Sequence, residues 1–276
     1  MTEKKTDEET THFGFKKVPI REKASKVAEV FHSVASKYDL MNDVMSLGSH
    51  RLMKQFAVEQ TSARKGHTIL DLAGGTGDLA ARLAPMVGDA GQVILCDINQ
   101  SMLSQGRDRL LDKGIVGTVT YLQADAENLP LPDEHLNAVT IAFGLRNFTR
   151  KEVALESMLR VLKPGGRLVI LEFSTPKNAV IKSAYEKFSG FWPKIGKTLT
   201  GDQDSYQYLV DSIKMHPDQE ALKQMMQDAG YVKCVYHNLL NGIAAIHVGR
   251  KPRDSNPSDN SAEGGSAEDS SAETSS

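Results

Sequence analysis

The 276-residue sequence is short of several things. No apolar run approaches the ~18–20 residues that a membrane span needs, so no transmembrane helix is expected. The N-terminus, Met1 to Thr11, has neither the basic-then-apolar order of a secretory signal nor the arginines of a transit peptide, and a cytoplasmic location is expected. Cysteine occurs only twice, at Cys96 and Cys234, each inside an apolar strand-like run. Small buried hydrophobes in a reducing compartment account for both better than a disulfide or a metal pair does. No cluster has zinc-ligand spacing, and no metal is expected. A large charge excess is also missing: the formal net charge is −2. Six of the 35 acids lie beyond Arg253 with no Lys or Arg among them, so residues 1–253 carry 29 acids against 33 bases, a net of +4. Such a body tolerates an anionic membrane surface but is too weakly basic to argue for nucleic acid. The Ser-, Ala-, Glu- and Gly-rich stretch 253–276 has no apolar face and reads as a disordered acidic tail.

What is present is organised around Thr68-Ile-Leu-Asp-Leu-Ala-Gly-Gly-Thr-Gly-Asp-Leu-Ala80. A β-branched and aliphatic run ends at Asp71 and passes into Gly74, Gly75 and Gly77, followed by Leu79, Leu83 and Met86 at helical spacing. Strand, glycine turn and helix form a nucleotide-cofactor site at the C-terminal edge of a parallel sheet. From there strand and helix patterns alternate. The expected strands are 68–73, 92–97, 119–123, 136–142 and 167–173, with helices over 78–86, 100–113 and 150–162 between them. This order argues for a parallel sheet with right-handed crossovers and helices on both faces. A polar and aromatic insert at 175–215 precedes a helix at 217–229. Two strands follow, 231–238 and 242–249, separated only by Leu239–Gly242, so they pair as an antiparallel hairpin. Ahead of the first strand, Val27, Val30, Phe31, Val34 and Tyr38 give a helical repeat, interrupted by 39–48 and resumed over 51–63. This section covers the sheet edge where ligands bind, and its methionines (Met41, Met45, Met53) suit packing first and a lid over an apolar substrate second.

The glycines fit two cofactors, since Gly75-Thr-Gly77-Asp-Leu-Ala80 also satisfies the dinucleotide pattern G-x-G-x-x-A. Asp71, just ahead of the turn, would repel a pyrophosphate but meets the positively charged methionine end of S-adenosylmethionine. Asp97, 22 residues past Gly75, suits a ribose diol in either case. Asp125 can accept from an adenine amino group, with the Ala126 backbone beside it. Each acid alone could be a solvated loop residue; at successive strand ends they converge on one crevice.

Asp71-x-x-x-Gly75-x-Gly77, Asp97, Asp125-Ala126 and Leu162-Lys-Pro-Gly-Gly-Arg-Leu168 together resemble the class I S-adenosylmethionine-dependent methyltransferases. Two longer stretches are more specific. Tyr38-Asp-Leu-Met-Asn-Asp-Val-Met-Ser-Leu-Gly-Ser-His-Arg51 and Arg160–Ser174 resemble the two signatures of the UbiE-type ubiquinone/menaquinone biosynthesis C-methyltransferases. Phe143-Gly-Leu-Arg-Asn147, Asp204–Leu209 and Met215-His-Pro-Asp-Gln219 match the same family, and the likeness runs from about residue 11 to 251. Two positions depart from it: Met53 stands where a tryptophan is common, and Ala142 where a serine is often found.

The resemblance implies an α/β Rossmann-like class I methyltransferase: a seven-stranded, mostly parallel sheet with a C-terminal antiparallel hairpin and an N-terminal helical cap. Its boundaries would be a disordered N-terminus over 1–11, the cap over 12–66, and the methyltransferase domain over 67–252, with the insert 175–215 over the active site. It implies C-methylation of polyprenylated quinols: demethylmenaquinol to menaquinol, and 2-methoxy-6-polyprenyl-1,4-benzoquinol to its 5-methyl product. The cofactor residues would be Asp71, Gly75, Thr76, Gly77, Asp97, Asp125, Ala126 and, through its backbone, Ala142. Arg146 is the first candidate for an active-site group, as a cation holding a phenolate or a water; pairing with a structural acid is the plain alternative. Tyr206 would hydrogen-bond the second quinol oxygen, with His50, His216 and Asp204 as weaker candidates. A prenylated substrate calls for peripheral contact with the inner face of the membrane, through 21–63 and through Phe188, Phe191 and Trp192; that aromatic group equally suits an oligomer contact or a satellite core. A homodimer and a quinone-biosynthesis complex both remain open. Three rivals fit less well. Asp71 and the terminal hairpin count against a nicotinamide oxidoreductase. A non-catalytic scaffold explains nothing further, and an amino-group methyltransferase lacks its Asn/Asp-Pro-Pro-aromatic motif after the fourth strand.

Overall fold

The computed structural model describes residues 9–34, 46, 48–201 and 203–253. The sheet at its centre runs in the order β5-β4-β3-β6-β7-β9-β8. Its strands are β3 (Thr68–Leu72), β4 (Gln92–Asp97), β5 (Val119–Gln123), β6 (Leu136–Ala142), β7 (Leu162–Phe173), β8 (Val232–Leu239) and β9 (Ala244–Arg250). All pairings from β5 to β7 are parallel, while β9 is inserted antiparallel between β7 and β8. The seven strands and the terminal hairpin are as the sequence pattern requires.

The central strands β3, β4, β6 and β9 are mostly apolar and buried because both faces of the sheet are covered there, while the edge strands β5 and β8 mix buried with exposed residues. Leu70, Leu72, Ile94, Cys96, Ile141 and Ile170 pack on one side with α5 (Lys151–Val161) and α9 (Gln219–Asp228). The alternate residues Ile69, Val93 and Leu95 pack on the other, against α2 (His50–Gln60), α3 (Asp78–Val87) and α4 (Gln100–Asp112). The same face continues over β7 and β9, where Val169, Leu171, Ile246 and Val248 meet the insert. That insert is three helices: α6 (Ala179–Ser189), α7 (Trp192–Thr200) and α8 (Gln203–Met215). Both cysteines are buried and free.

Three details differ from the pattern. β7 begins at Leu162, which pairs with Leu136, while Ala138 pairs with Arg167. The Lys163–Gly166 turn is thus looped out of a strand that has already begun, with Gly165 at φ +78°. Second, β1 (Thr10–Phe13) and β2 (Lys16–Pro19) form an antiparallel hairpin, so the disordered N-terminus cannot extend to residue 11. Phe13 anchors the hairpin by stacking on Tyr208, centroids 4.3 Å apart. Third, α1 spans Ile20–Val34 and α2 stops at Gln60; the interruption expected over 39–48 falls mostly outside the described residues, as does the acidic tail from 254.

Candidate active site

The carboxyl ends of β3, β4, β5 and β6 open into a cleft of about 850 Å³, counted out to bulk solvent. This is where an open α/β sheet places its ligand, and the size suits a small-molecule site. Close packing of small residues shapes it. A Cβ on Gly74 would lie 2.3 Å from Leu95 Cδ1, and one on Gly106 in α4 would lie 2.6 Å from the Gly75 carbonyl oxygen. Gly75 and Gly77 take φ of +54° and +75°, a conformation that costs glycine nothing. Two residues that are not glycine do the same at neighbouring strand ends: Ala73 after β3 (φ +52°) and Phe143 after β6 (φ +59°). Both line the cleft. A left-handed phenylalanine is a strained backbone that only its surroundings can hold.

Four of the expected cofactor residues, Gly75, Asp97, Asp125 and Ala126, come together on the cleft wall. The Gly75 amide donates to Asp97 Oδ2 (2.9 Å) and the Asn99 amide to Oδ1 (2.8 Å). Burial pushes the Asp97 carboxyl up, and these backbone donors pull it back. Asp125 Oδ1 accepts from the Glu127 amide (2.9 Å) and so caps the short 3₁₀ turn over 126–128. Gly77 lines neither this cleft nor its neighbour; it caps α3, tight against Leu110.

Asp71, Thr76 and Ala142 line a second, smaller hollow of about 290 Å³, which shares Ala73 with the main cleft. Asp71 is 1% exposed. Its Oδ2 accepts from the Ala80 amide in the first turn of α3 (3.0 Å), while Oδ1 has no partner among the described residues. Burial pushes this carboxyl up to about 7, against the pull of the Ala80 amide and of Lys54. Lys54 lines the same hollow. The sequence reading passed over it, although its spacing with His50, Met53, Ala57 and Val58 puts it on the buried stripe of α2.

The two expected catalytic groups are elsewhere. Arg146 does not line the cleft: its guanidinium bonds Glu172 (Nη1 to Oε1 2.8 Å) and the Phe143 carbonyl oxygen, and its amide donates to Glu172 Oε2 (3.2 Å). The structural acid is therefore present. Through it Arg146 holds the strained Phe143, which packs on Phe173 with centroids 4.7 Å apart. Tyr206 is wholly buried, its ring against the Gly196 backbone, in the core under the insert. Tyr206 lines neither hollow. His50 is buried beside Ser46 (Nδ1 to Oγ 2.9 Å). His216 is buried as well, with its pKa well lowered by burial first and then by Lys151 and Arg146. Asp204 lies in the first turn of α8. In the aromatic group Trp192 is 0% exposed and takes Tyr185 and Phe188 edge-on, so it is core; Phe191, at 56% exposed, is surface.

A seven-stranded sheet with the last strand inserted antiparallel, and a glycine turn flanked by acids on three successive strand ends, is the fold and site of a class I methyltransferase. The structure superimposes on a SAM dependent methyltransferase from Aquifex aeolicus with a TM-score of 0.56 at 18% identity, covering 76% of this chain and 98% of the other. It also superimposes on the [4+2]-cyclase SpnF, with a TM-score of 0.57 at 19% identity over 74% of this chain and 82% of the other. The second likeness shows that this fold alone does not fix the reaction. Sequence is more specific. Residues 20–251 match the model of the ubiE/COQ5 methyltransferase family. The chain is 61% identical over 246 residues to the ubiquinone/menaquinone biosynthesis C-methyltransferase UbiE of Pseudomonas fluorescens, covering 89% of this chain and 96% of that protein. It is 59% identical over 253 residues to the protein of the same name from Azotobacter vinelandii, covering 91% and 100%. The chain belongs to the ubiE/COQ5 methyltransferase family.

Proposed function

We infer that this protein is a C-methyltransferase of ubiquinone and menaquinone biosynthesis. The substrates would be the polyprenylated quinols demethylmenaquinol and 2-methoxy-6-polyprenyl-1,4-benzoquinol. The observation that carries this reading is identity near 60% along nearly the full length of proteins with that activity in their names. The methyl donor is S-adenosylmethionine, which supplies an electrophilic methyl on a positively charged sulfur. The cleft and the smaller hollow beside it fit such a cofactor: a glycine turn packed so closely that a Cβ on Gly74 would strike Leu95 and Asp71, a carboxylate with an unpartnered oxygen at Asp71 in the hollow, and acids at the next two strand ends in the cleft. In this reading Asp97 holds the ribose hydroxyls, Asp125 with Ala126 the adenine edge, Thr76 and Ala142 the far side of the glycine turn, and Asp71 the cationic methionine end.

A quinol carbon becomes nucleophilic when the neighbouring phenol ionises, so the site has to favour a phenolate, aim its carbon at the methyl group and keep water out. The chain's contribution is alignment, which in good cases accounts for ~7–11 kcal/mol of a barrier. Phe143 walls the cleft at the strand end nearest the insert, held there by Arg146 and Glu172. Ala24, Val27 and Ala28 of α1 supply an apolar wall. Arg146 acts on the reaction by fixing Phe143.

Among the described residues no helix is long and apolar enough to cross a membrane. A prenylated substrate calls for a peripheral contact, which is proposed through α6 and α7. Val180 (77% exposed) on α6 and Phe191 in the turn ahead of α7 stand with exposed Lys182, Lys187, Lys194 and Lys197, an apolar and basic combination that suits an anionic lipid surface. The function is tested by giving the purified protein methyl-labelled S-adenosylmethionine and each reduced demethyl-quinol separately. Label on the quinol ring is expected; none with either quinol would overturn the reading.

A further inference from the structure

The smaller hollow behind the glycine turn carries both signs of charge. Lys54 reaches it from α2, ahead of the sheet, with its side chain 9% exposed. Its Nζ donates to Asp78 Oδ2 (3.0 Å), and Arg82 Nε lies 3.4 Å from the other Asp78 oxygen. Two cations share one carboxylate there, so a positive charge is left over. Asp71 brings the opposite: a buried carboxylate whose Oδ1 has no hydrogen-bond partner among the described residues. A buried carboxyl oxygen without a partner is costly, and in its ionised form it calls for a ligand of opposite sign. An α-amino acid offers both partners within three atoms, an ammonium for one wall and a carboxylate for the other.

We propose that Lys54 is a cofactor-binding residue, its ammonium taking the α-carboxylate of S-adenosylmethionine while Asp71 takes the α-ammonium. The proposal rests on the cofactor assigned above. It makes α2 part of the cofactor site, so the helix ahead of the sheet closes on the methionine end of the ligand. The adenine half of the cleft, at Asp97 and Asp125, makes no use of Lys54.

This predicts a loss that depends on which ligand is offered. Binding of S-adenosylhomocysteine and of 5′-methylthioadenosine, which has no amino-acid end, is measured by calorimetry on the native protein and on Lys54→Gln. Lys54→Gln is expected to weaken S-adenosylhomocysteine at least about tenfold, the scale of one charge-assisted hydrogen bond, and to leave methylthioadenosine unchanged. Equal weakening of both ligands, or of neither, would overturn the proposal. Lys54→Arg keeps the cation and is expected to retain most of the affinity for S-adenosylhomocysteine. Should Lys54→Gln not fold, the native protein decides through the ligand: decarboxylated S-adenosylhomocysteine is expected to bind about tenfold more weakly than the parent, and equal binding would overturn the assignment. A native protein that binds neither nucleoside would instead remove the cofactor reading itself.

Discussion

Arg146 and Glu172 face each other across the carboxyl ends of β6 and β7, Nη1 to Oε1 2.8 Å, with side chains only 3% and 1% exposed. The pair ties two neighbouring strand ends together and clamps the carbonyl of Phe143. Removing one partner leaves a buried charge alone, which costs ~3–5 kcal/mol, whereas removing both costs much less. Arg146→Ala and Glu172→Gln are therefore each expected to lower the unfolding midpoint markedly, and Arg146→Met/Glu172→Leu to recover much of the loss. Methyl transfer should stay low in the recovered double variant, because Phe143 is no longer held. Full activity in that variant would show that the clamp has no part in the reaction.

Ala73 stores backbone strain at φ +52°, a conformation that costs a residue bearing a Cβ ~1–2 kcal/mol. Glycine relieves it but gains freedom in the unfolded chain, an offset of ~0.4–1 kcal/mol. Ala73→Gly should leave the melting temperature level or raise it by up to ~4 °C. Ala84→Gly, at a buried position in the interior of α3, should lower it. Equal falls at the two positions in a thermal melt would count against strain at Ala73.

The pKa of Asp71 is about 7 in the folded protein, above its ordinary value of 3.8. The folded state thus holds a proton that the unfolded chain releases. The ligand-free protein is expected to lose stability from this group as pH rises from about 4 to about 7 and to lose no more above that. Urea unfolding of the native protein minus that of Asp71→Asn across this range isolates the slope; a flat difference would refute it. Binding of S-adenosylhomocysteine should run the other way, strengthening as Asp71 ionises.

Phe191 and Trp192 are adjacent in sequence and opposite in surroundings. Trp192→Ser should cost several kcal/mol, as removing a large buried ring does. Phe191→Ser should leave stability within ~0.5 kcal/mol and reduce recovery of the protein with anionic liposomes on flotation. Undiminished recovery would move the membrane contact away from α7.

The central sheet was legible because a strand covered on both faces is a nearly unbroken apolar run, as at 92–97 and 136–142, while the edge strand 119–123 showed itself by β-branched and aromatic residues. The N-terminal hairpin was not: Thr10–Phe13 and Lys16–Pro19 are polar at most positions and owe their order to Phe13 resting on a residue 195 positions away, Tyr208. The acids of the main cleft could be read because topology brings strand ends together whatever the side chains do. Arg146 could not be placed, since nothing in the sequence says that Glu172, the last acid in an apolar run, turns inward to meet it. Tyr206 misled for a similar reason: an insert over a crevice has an inner face of its own to fill. Lys54 was visible in the periodicity of α2, on the stripe shared with His50, Met53, Ala57 and Val58, and was passed over because a lysine on a helix is ordinarily solvated.

β9 lies between β7 and β8 and, among the described residues, gives β8 its only strand neighbour in the sheet. During synthesis the chain emerges with β8 before β9, and β8 cannot dock until β9 has followed. A ribosome that has exposed residues up to 239 therefore carries a five-stranded sheet with an open edge at β7. Ser174, whose amide bonds the Ile243 carbonyl oxygen (2.8 Å), is still unpaired at that stage. The insert core, which includes Ala244, Ile246 and Val248, is closed by the last strand of the sheet to leave the exit tunnel. The active-site half of the molecule is thus finished early, and the wall behind the insert is finished last.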